Sequence, residues 1–199
     1  AVPPFTAADV TGHFRRRLVD TLRAHPGVAV VDVDAGTVER DGLTDPSPAR
    51  PHTPPSVPAD TTFPPEAYEA CLTADQADAL SALERLRDGA AVVVEADRGR
   101  GKSAAAGLAA GSLAAAGRDV LVTAPAYRNA AEVFERATAL LATLGDLDGR
   151  DDDHTLTAAG GGRVRFLAPE EAVTLPDDPD AVVVDEAAAL PVRLLERFL

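Results

Sequence analysis

The spacing of apolar side chains divides this chain into helices and strands. Helical spacing over Thr6–Ala24 and Ala130–Leu144 predicts two amphipathic helices, and a third is predicted from Leu72 to about Arg87. Short, mostly apolar runs predict strands at Gly27–Asp34, Ala90–Glu95, Asp119–Thr123, Arg163–Leu167 and Ala181–Val184. Strands that alternate with helices predict an α/β fold in which helices flank a parallel sheet.

A glycine-rich turn connects the predicted strand Ala90–Glu95 to an alanine-rich helix. Residues Ala96–Ser103 match the phosphate-loop pattern G-x-x-x-x-G-K-[ST] except at the first position, where Ala96 replaces glycine. The backbone N–H groups of such a loop and the N-terminus of the next helix attract phosphate. We expect Lys102, the only lysine of the chain, to reach the β- and γ-phosphates and the Ser103 hydroxyl to bind Mg²⁺.

Two carboxylates follow the predicted strand Ala181–Val184. Asp185 is expected to hold Mg²⁺, and Glu186 is expected to orient and deprotonate an attacking water. The alternative is that both acids cap the next helix. The adjacent glutamate favours a hydrolysing motor ATPase over a kinase or a GTPase-like switch.

Thr73 and Gln76 have two interpretations. Their spacing at the start of a predicted helix is that of a capping box. Gln76 also precedes the phosphate loop, and its amide can donate to and accept from the N6 and N7 edge of adenine. The sequence leaves both interpretations open.

Two charged clusters are assigned to solvent. The arginines at 15–17 and Arg128 are interpreted as surface residues, with contact to a nucleic-acid backbone as the alternative. The acidic, glycine-rich stretch Gly145–Gly162 contains Asp151–His154 and is predicted to be a solvated loop rather than a metal site, because it lacks regular ligand spacing.

The charge and cysteine content narrow the function classes. The net charge is −13, with 32 acidic residues against 19 basic ones, which argues against a general nucleic-acid-binding surface. Adaptation to high salt is favoured over an acidic interaction domain because the acids are scattered. The lone Cys71 indicates a reducing cytoplasm, with no disulfide framework and no cysteine-based zinc site. Since no apolar run approaches ~20 residues and no signal peptide is seen, we expect no membrane association.

Proline content separates the two ends of the chain. Eight of the 16 prolines lie between Asp41 and Pro65, where no apolar periodicity occurs. We therefore predict a small N-terminal αβ piece at 1–45, a linker at 46–68 and a P-loop nucleotide domain at 69–199. Because the chain ends inside a helical pattern, we expect this sheet to be incomplete at its C-terminus and the chain to be a piece of a longer protein.

Three stretches together carry a family resemblance. Arg98–Ser103, Val184–Pro191 and Leu72–Gln76 resemble the RecD-like helicase, or ATPase, module of tRNA(Met) cytidine acetyltransferases. The string Asp-Glu-Ala-Ala-Ala-aliphatic-Pro is specific to that family among P-loop proteins. The resemblance covers about Leu72–Leu199 and, more weakly, the N-terminal piece. It implies that 69–199 is the first part of a RecA-like P-loop ATPase domain and that 1–45 is the end of an N-terminal αβ domain.

The resemblance implies which residues bind ATP. They are Gln76, Arg98, Gly99, Arg100, Gly101, Lys102, Ser103, Ala104 and Gly107. Asp185 and Ser103 correspond to the Mg²⁺ position, and Glu186, with Lys102, to the hydrolysis machinery. The family uses acetyl-CoA and ATP hydrolysis to acetylate N4 of the wobble cytidine of elongator tRNA(Met), with downstream acetyltransferase and RNA-binding parts. This sequence contains no acetyl-CoA-binding turn, so we expect acetyl transfer only from the full-length protein.

Two other functions stay open on the sequence alone. The same phosphate loop and Asp-Glu pair occur in RecD-like superfamily 1 DNA helicases or translocases. An acidic surface and an incomplete sheet are also compatible with a nucleotide-gated interaction module that does not hydrolyse ATP. In motor ATPases of this type another strand, later in sequence, separates the phosphate-loop strand from the Asp-Glu strand, so we expect this chain alone to be a poor ATPase. The RNA substrate, the coupling of hydrolysis to acetylation and the oligomeric state do not follow from the sequence.

Overall fold

The computed structural model describes residues 12–25, 27–42, 55–87, 89–97, 99, 101–151 and 154–198. Contacts divide the chain into two units, Ala1–His52 and Thr53–Leu199. Within the described residues, no helix is both long and apolar enough to cross a membrane. The first predicted domain boundary, between 45 and 46, lies outside the described residues, and both predicted boundaries stay predictions.

The first unit contains a helix and a hairpin. Helix α1 spans His13–Ala24, and the antiparallel strands β1 and β2 span Val30–Asp32 and Thr37–Arg40. The Asp32 carboxylate accepts two backbone N–H groups of the turn and so fixes it. The predicted strand Gly27–Asp34 is shorter than expected, and its partner β2 was not predicted because Thr37–Arg40 contains one apolar residue. Residues 6–11 of the predicted helix and the side chains at 15 and 16 lie outside the described part.

The second unit is an α/β structure with a five-stranded sheet in the order β4-β5-β6-β3-β7. Its helices are α2 Pro65–Glu69, α3 Ala74–Glu84, α4 Lys102–Ala115, α5 Tyr127–Leu144, α6 Pro169–Ala172 and α7 Val192–Leu195. Its strands are β3 Asp119–Thr123, β4 Leu147–Arg150, β5 Thr155–Ala158, β6 Arg163–Phe166 and β7 Ala181–Val184. The predicted α/β fold of the P-loop, helicase type agrees with this architecture.

The sheet is mixed rather than fully parallel. Strand β3 pairs in parallel with β6 and β7, whereas β5 pairs antiparallel with β4 and β6. The prediction of a loop over Gly145–Gly162 is therefore wrong, because this stretch contains β4 and β5. Only Leu156 and Ala158 of β5 are fully buried. Cross-strand pairing, rather than a long apolar run, therefore stabilises this hairpin within its acidic, glycine-rich sequence.

The predicted strand Ala90–Glu95 is also absent from the described sheet. Residues 90–97 form no ladder with any described strand, and the Val93 side chain is 91% exposed. Strand β7 is hydrogen-bonded to β3 on one side and to no described strand on the other. The segment before the phosphate loop thus lies outside the sheet while one sheet edge stays open.

The core of the second unit lies between the sheet and helices α4 and α5. Val120 and Val122 of β3 pack in it with alanines of α4 and with Phe134 of α5. A second cluster joins α2 and α3 to α4 around the fully buried Tyr68 and Leu80. The phosphate-loop helix α4 therefore contacts both clusters, and its position is fixed from two sides.

Candidate functional site

The phosphate loop leads into α4 through a left-handed glycine. Gly101 has φ +79° and forms the N-cap of α4, a conformation that favours glycine. The Lys102 ammonium donates to the carbonyl oxygens of Ala96 at 2.6 Å and Asp97 at 3.1 Å. In this conformation the lysine therefore closes the loop on itself. Arg98 and Arg100, which were predicted to bind ATP, lie outside the described residues.

Ser103 and Asp185 come together although 82 residues separate them in sequence. The Ser103 hydroxyl, in the first turn of α4, donates to Asp185 Oδ1 at 3.2 Å. Asp185 directly follows β7, so the contact joins the start of the loop helix to the carboxyl end of the sheet. These two residues are the ones that the sequence assigned to Mg²⁺.

The Asp185 side chain is held on one oxygen and left without a partner on the other. Its Oδ1 also accepts the Glu186 N–H at 2.9 Å, and its own N–H donates to Thr123 O at 2.9 Å. Its Oδ2 is buried and has no hydrogen-bond partner among the described residues. Because a buried, unpaired carboxylate oxygen is costly, this atom is suited to a cation or to its water ligands.

Glu186 adopts a backbone conformation that is uncommon outside glycine. Its φ is +50°, and it begins the short 3₁₀ turn Ala187–Ala189. The residue is exposed, and its carboxylate bonds to no described residue. Left-handed residues of this kind are often found at functional sites. Glu186 thus presents a carboxylate without a described partner at the carboxyl end of β7, where Asp185 and Ser103 meet.

Gln76 lies against the phosphate loop. Its backbone N–H donates to Thr73 Oγ1 at 3.2 Å, which is one half of a capping box. Its side-chain Oε1 instead accepts the Leu72 N–H at 2.6 Å, so the reciprocal bond of the box is replaced. A Cβ added at Gly101 would overlap the Gln76 side-chain nitrogen. The amide is therefore both a structural element of the helix start and a neighbour of the loop.

A cavity of about 400 Å³ opens between α3 and the segment that precedes the loop. Gln76, Gly101 and Lys102 line it, together with Asp75, Ala79, Ala82 and residues 92–96. The cavity thus joins the predicted adenine contact to the predicted phosphate contact. A nucleotide base beside Gln76 and phosphates beside Lys102 fit this arrangement in chemical type.

A single carboxylate fastens α3 to the chain in front of it. Glu84 accepts hydrogen bonds from the Phe63 N–H at 2.7 Å, the Thr61 hydroxyl at 2.8 Å, both donors of Thr62 and the Tyr68 hydroxyl. Burial raises the pKa of this carboxyl, but these bonds outweigh that effect and lower the pKa to about 2. Glu84 therefore holds in place the helix that carries Gln76.

Two residues that were expected to bind ATP lie inside helix packing. Ala104 is 3% exposed, and Gly107 is buried in α4 against α5. A Cβ at Gly107 would lie 2.5 Å from the Val133 carbonyl oxygen, so the absence of a side chain permits close approach of the helices. Nothing in this geometry tests their role in nucleotide binding, which stays a prediction.

An aromatic cluster that the sequence did not indicate lies beyond the carboxyl end of the parallel strands. The Tyr127 and His154 rings stack with centroids 3.5 Å apart, and the Phe166 ring meets Tyr127 edge-on. Arg150 donates to the Tyr127 hydroxyl at 2.6 Å. The neighbouring Arg128 is exposed in the first turn of α5, which is compatible with either interpretation of that residue.

Comparisons with known proteins agree on one family. A profile described as RNA cytidine acetyltransferase NAT10/TcmA, helicase domain, matches residues 93–199. The chain is 64% identical over 203 residues to a Haloarcula marismortui protein named tRNA(Met) cytidine acetyltransferase TmcA. The aligned region covers 100% of the chain and 26% of that relative. A Haloferax volcanii protein of the same name is also 64% identical, over 100% of the chain and 27% of the relative. A Pyrococcus abyssi protein of that name is 35% identical, over 99% and 25% respectively. The chain thus spans about a quarter of the length of these relatives.

Proposed function

Because the chain belongs to the RNA cytidine acetyltransferase NAT10/TcmA family and matches its helicase domain, we propose that it is the ATP-binding and ATP-hydrolysing module of a tRNA(Met) cytidine acetyltransferase. In this proposal the whole enzyme uses acetyl-CoA and ATP to acetylate N4 of the wobble cytidine of elongator tRNA(Met). The names of the similar proteins support the tRNA substrate. The acidic composition supports a cytoplasm of high salt content.

The contact between Ser103 and Asp185 is the observation that carries the proposal. A hydroxyl in the first turn of the loop helix and a carboxylate at the end of β7 are the pair of ligands that phosphate-loop NTPases use for Mg²⁺. The unpartnered Oδ2 of Asp185 fits the same ion, directly or through its water ligands. When bound, Mg²⁺ neutralises charge on the β- and γ-phosphate oxygens.

The other residues divide the remaining work. The Lys102 ammonium exchanges its loop carbonyls for the β- and γ-phosphate oxygens, and the Gln76 amide lies at the adenine end of the cavity. Glu186 takes the proton of the attacking water as the water oxygen bonds to the γ-phosphorus. The bond from that phosphorus to the bridging oxygen breaks, which yields ADP and phosphate.

The test is Mg²⁺-dependent ATP hydrolysis and acetylation of elongator tRNA(Met) by the full-length gene product. Glu186→Gln should keep ATP affinity and lose hydrolysis, because the amide cannot accept the proton. Glu170→Gln removes an exposed carboxylate of α6 that neither lines the cavity nor bonds to Ser103 or Asp185, and it should leave hydrolysis unchanged. Normal hydrolysis in Glu186→Gln would refute the assigned chemistry.

The same assays separate the two alternatives. Hydrolysis that DNA stimulates, without transfer of an acetyl group to tRNA, would replace the proposal by a RecD-like DNA helicase. ATP binding without phosphate release, unaffected by Glu186→Gln, would replace it by a nucleotide-gated interaction module.

A further inference from the structure

The described part of the chain contains a second buried oxygen without a partner. Besides Asp185 Oδ2, the hydroxyl of Thr123 is buried and bonds to nothing in the described residues. Native proteins leave few such atoms unpaired, and each one calls for an explanation such as a missing ligand. The proposed Mg²⁺ site accounts for the Asp185 oxygen. It does not account for the Thr123 hydroxyl, because the register with β7 places the Thr123 side chain on the opposite side of the sheet from Asp185.

Thr123 is the last residue of β3 and is fully buried. Its carbonyl oxygen accepts the Asp185 N–H at 2.9 Å, so its backbone already holds the Asp-Glu pair. The chain continues from Thr123 through residues 124–126 into α5, whose first turn contains Arg128. Thr123 therefore stands between that turn and the carboxylates that follow β7.

The strand register shows on which side of the sheet the Thr123 side chain lies. Thr123 pairs with Val184, and paired residues of a parallel ladder point to the same side of the sheet. Asp185 then belongs to the opposite side, in agreement with its bond to Ser103 of α4. Glu186 follows Asp185 and leaves the strand with a left-handed backbone, so it begins a turn beside the residue whose N–H bonds to Thr123 O.

We infer that Thr123 is a positioning residue for Glu186 and that its hydroxyl donates a hydrogen bond to the Glu186 carboxylate when nucleotide is bound. This inference rests on the proposed ATPase function. A general base must be held within hydrogen-bond distance of the proton that it removes. Glu186 is exposed and its carboxylate has no partner in the described residues, whereas Thr123 supplies a donor that is otherwise unused.

Three substitutions at one position isolate the hydroxyl. Thr123→Val keeps the shape and removes the hydroxyl, while Thr123→Ser and Thr123→Ala differ from each other in the hydroxyl alone. In ATP hydrolysis by the full-length gene product, we expect Val and Ala to lower kcat at least about tenfold, with KM for ATP within about twofold. Ser should retain most of kcat. Should Thr123→Val fail to fold, the comparison of Ser with Ala still decides.

Stability provides the contrast with a merely structural hydroxyl. Because the Thr123 hydroxyl bonds to none of the described residues, Thr123→Val should not lower Tm. The control is Ser112→Ala, which removes a buried hydroxyl that bonds to Leu108 O at 2.7 Å within α4. This control should leave kcat unchanged, which would show that loss of a buried hydroxyl does not by itself slow hydrolysis.

The outcome separates this inference from the proposed function. An unchanged kcat in Thr123→Val, or an equal loss in Thr123→Ser and Thr123→Ala, would overturn the positioning role. Glu186→Gln is measured in parallel. If that variant is inactive while Thr123→Val is normal, only the positioning role fails; if Glu186→Gln hydrolyses ATP normally, the proposed function fails.

Discussion

Substitution of Gly107 by alanine tests how tightly the phosphate-loop helix packs. A Cβ at this position would lie 2.5 Å from the Val133 carbonyl oxygen and 2.7 Å from Arg136 Cβ, closer than atoms approach without displacement. The first neighbour is backbone, so α4 and α5 have to separate. Gly111, one turn further on, has its nearest atom at 3.1 Å, the Ala137 Cα. The two glycines therefore form a matched pair on one helix face.

Two opposing effects determine how much each substitution changes the free energy of unfolding. Alanine is favoured over glycine in a helix interior by about 1 kcal/mol. Overpacking of a tight interface costs about 1–3 kcal/mol. For Gly107→Ala the clash is severe and the cost wins, so we expect a net loss of about 1–2 kcal/mol in the free energy of unfolding. For Gly111→Ala the terms nearly cancel, and we expect a change of less than about 0.5 kcal/mol.

Urea unfolding of the 199-residue chain in molar KCl measures both values. The reasoning about α4 and α5 would be refuted if Gly107→Ala were as stable as the parent chain or if the two variants lost equal stability. ATP affinity of the same variants tests the sequence-based expectation that Gly107 binds nucleotide. A loss of ATP-binding free energy in Gly107→Ala that exceeds its loss of unfolding free energy would support that expectation. An unchanged ATP affinity would show that the glycine serves helix packing.

Three further predictions follow from single features. Lys102→Ala should abolish nucleotide affinity in calorimetry without lowering Tm, because the ammonium bonds only to exposed loop carbonyls; loss of folding would contradict this. Glu84→Gln should lower the free energy of unfolding by about 2 kcal/mol at pH 7, after allowance for partial exposure of the carboxylate. The pKa of Glu84 is lowered from 4.5 to about 2, so its contribution is complete above pH 4.5 and is lost as pH falls toward 2; a pH-independent difference in urea unfolding would refute this. Tm should rise from low to molar KCl because the net charge is −13, and a flat response would count against adaptation to salt.

The sequence predicted the strands that are buried by their neighbours. Strands β3, β6 and β7 are short apolar runs with partners on the sheet, and each was expected within one residue of its observed end. Strand β4 was missed because Leu147–Arg150 has no apolar alternation, and β5 was missed because its alternation spans only four residues inside an acidic, glycine-rich stretch. Their order depends on antiparallel pairing with β6, and pairing partners cannot be read from local composition.

The candidate site divides in the same way. Lys102, Ser103 and Asp185 were predicted because each belongs to a motif whose spacing encodes its chemistry. Glu84 and Thr123 were not predicted, since their roles arise from contacts between distant parts of the chain. Glu84 meets the Phe63 N–H across 21 residues, and no local pattern marks it. In the sequence Thr123 looks like any strand threonine; only the structure shows that its hydroxyl is buried without a partner among the described residues.

The wrong strand at Ala90–Glu95 and the open edge of β7 have one explanation in physical terms. An apolar run with Val93 91% exposed is stable in a sheet only if a neighbour pairs with it. Strand β7 also has a free edge among the described residues. One further strand between β7 and Ala90–Glu95 would give both segments a hydrogen-bonded neighbour. We expect the full-length gene product to supply that strand, to protect the amides of 91–95 from hydrogen exchange, and to hydrolyse ATP faster than the 199-residue chain. Fast exchange of these amides in the full-length product, or equal turnover by both, would show that the loop needs no strand in front of it.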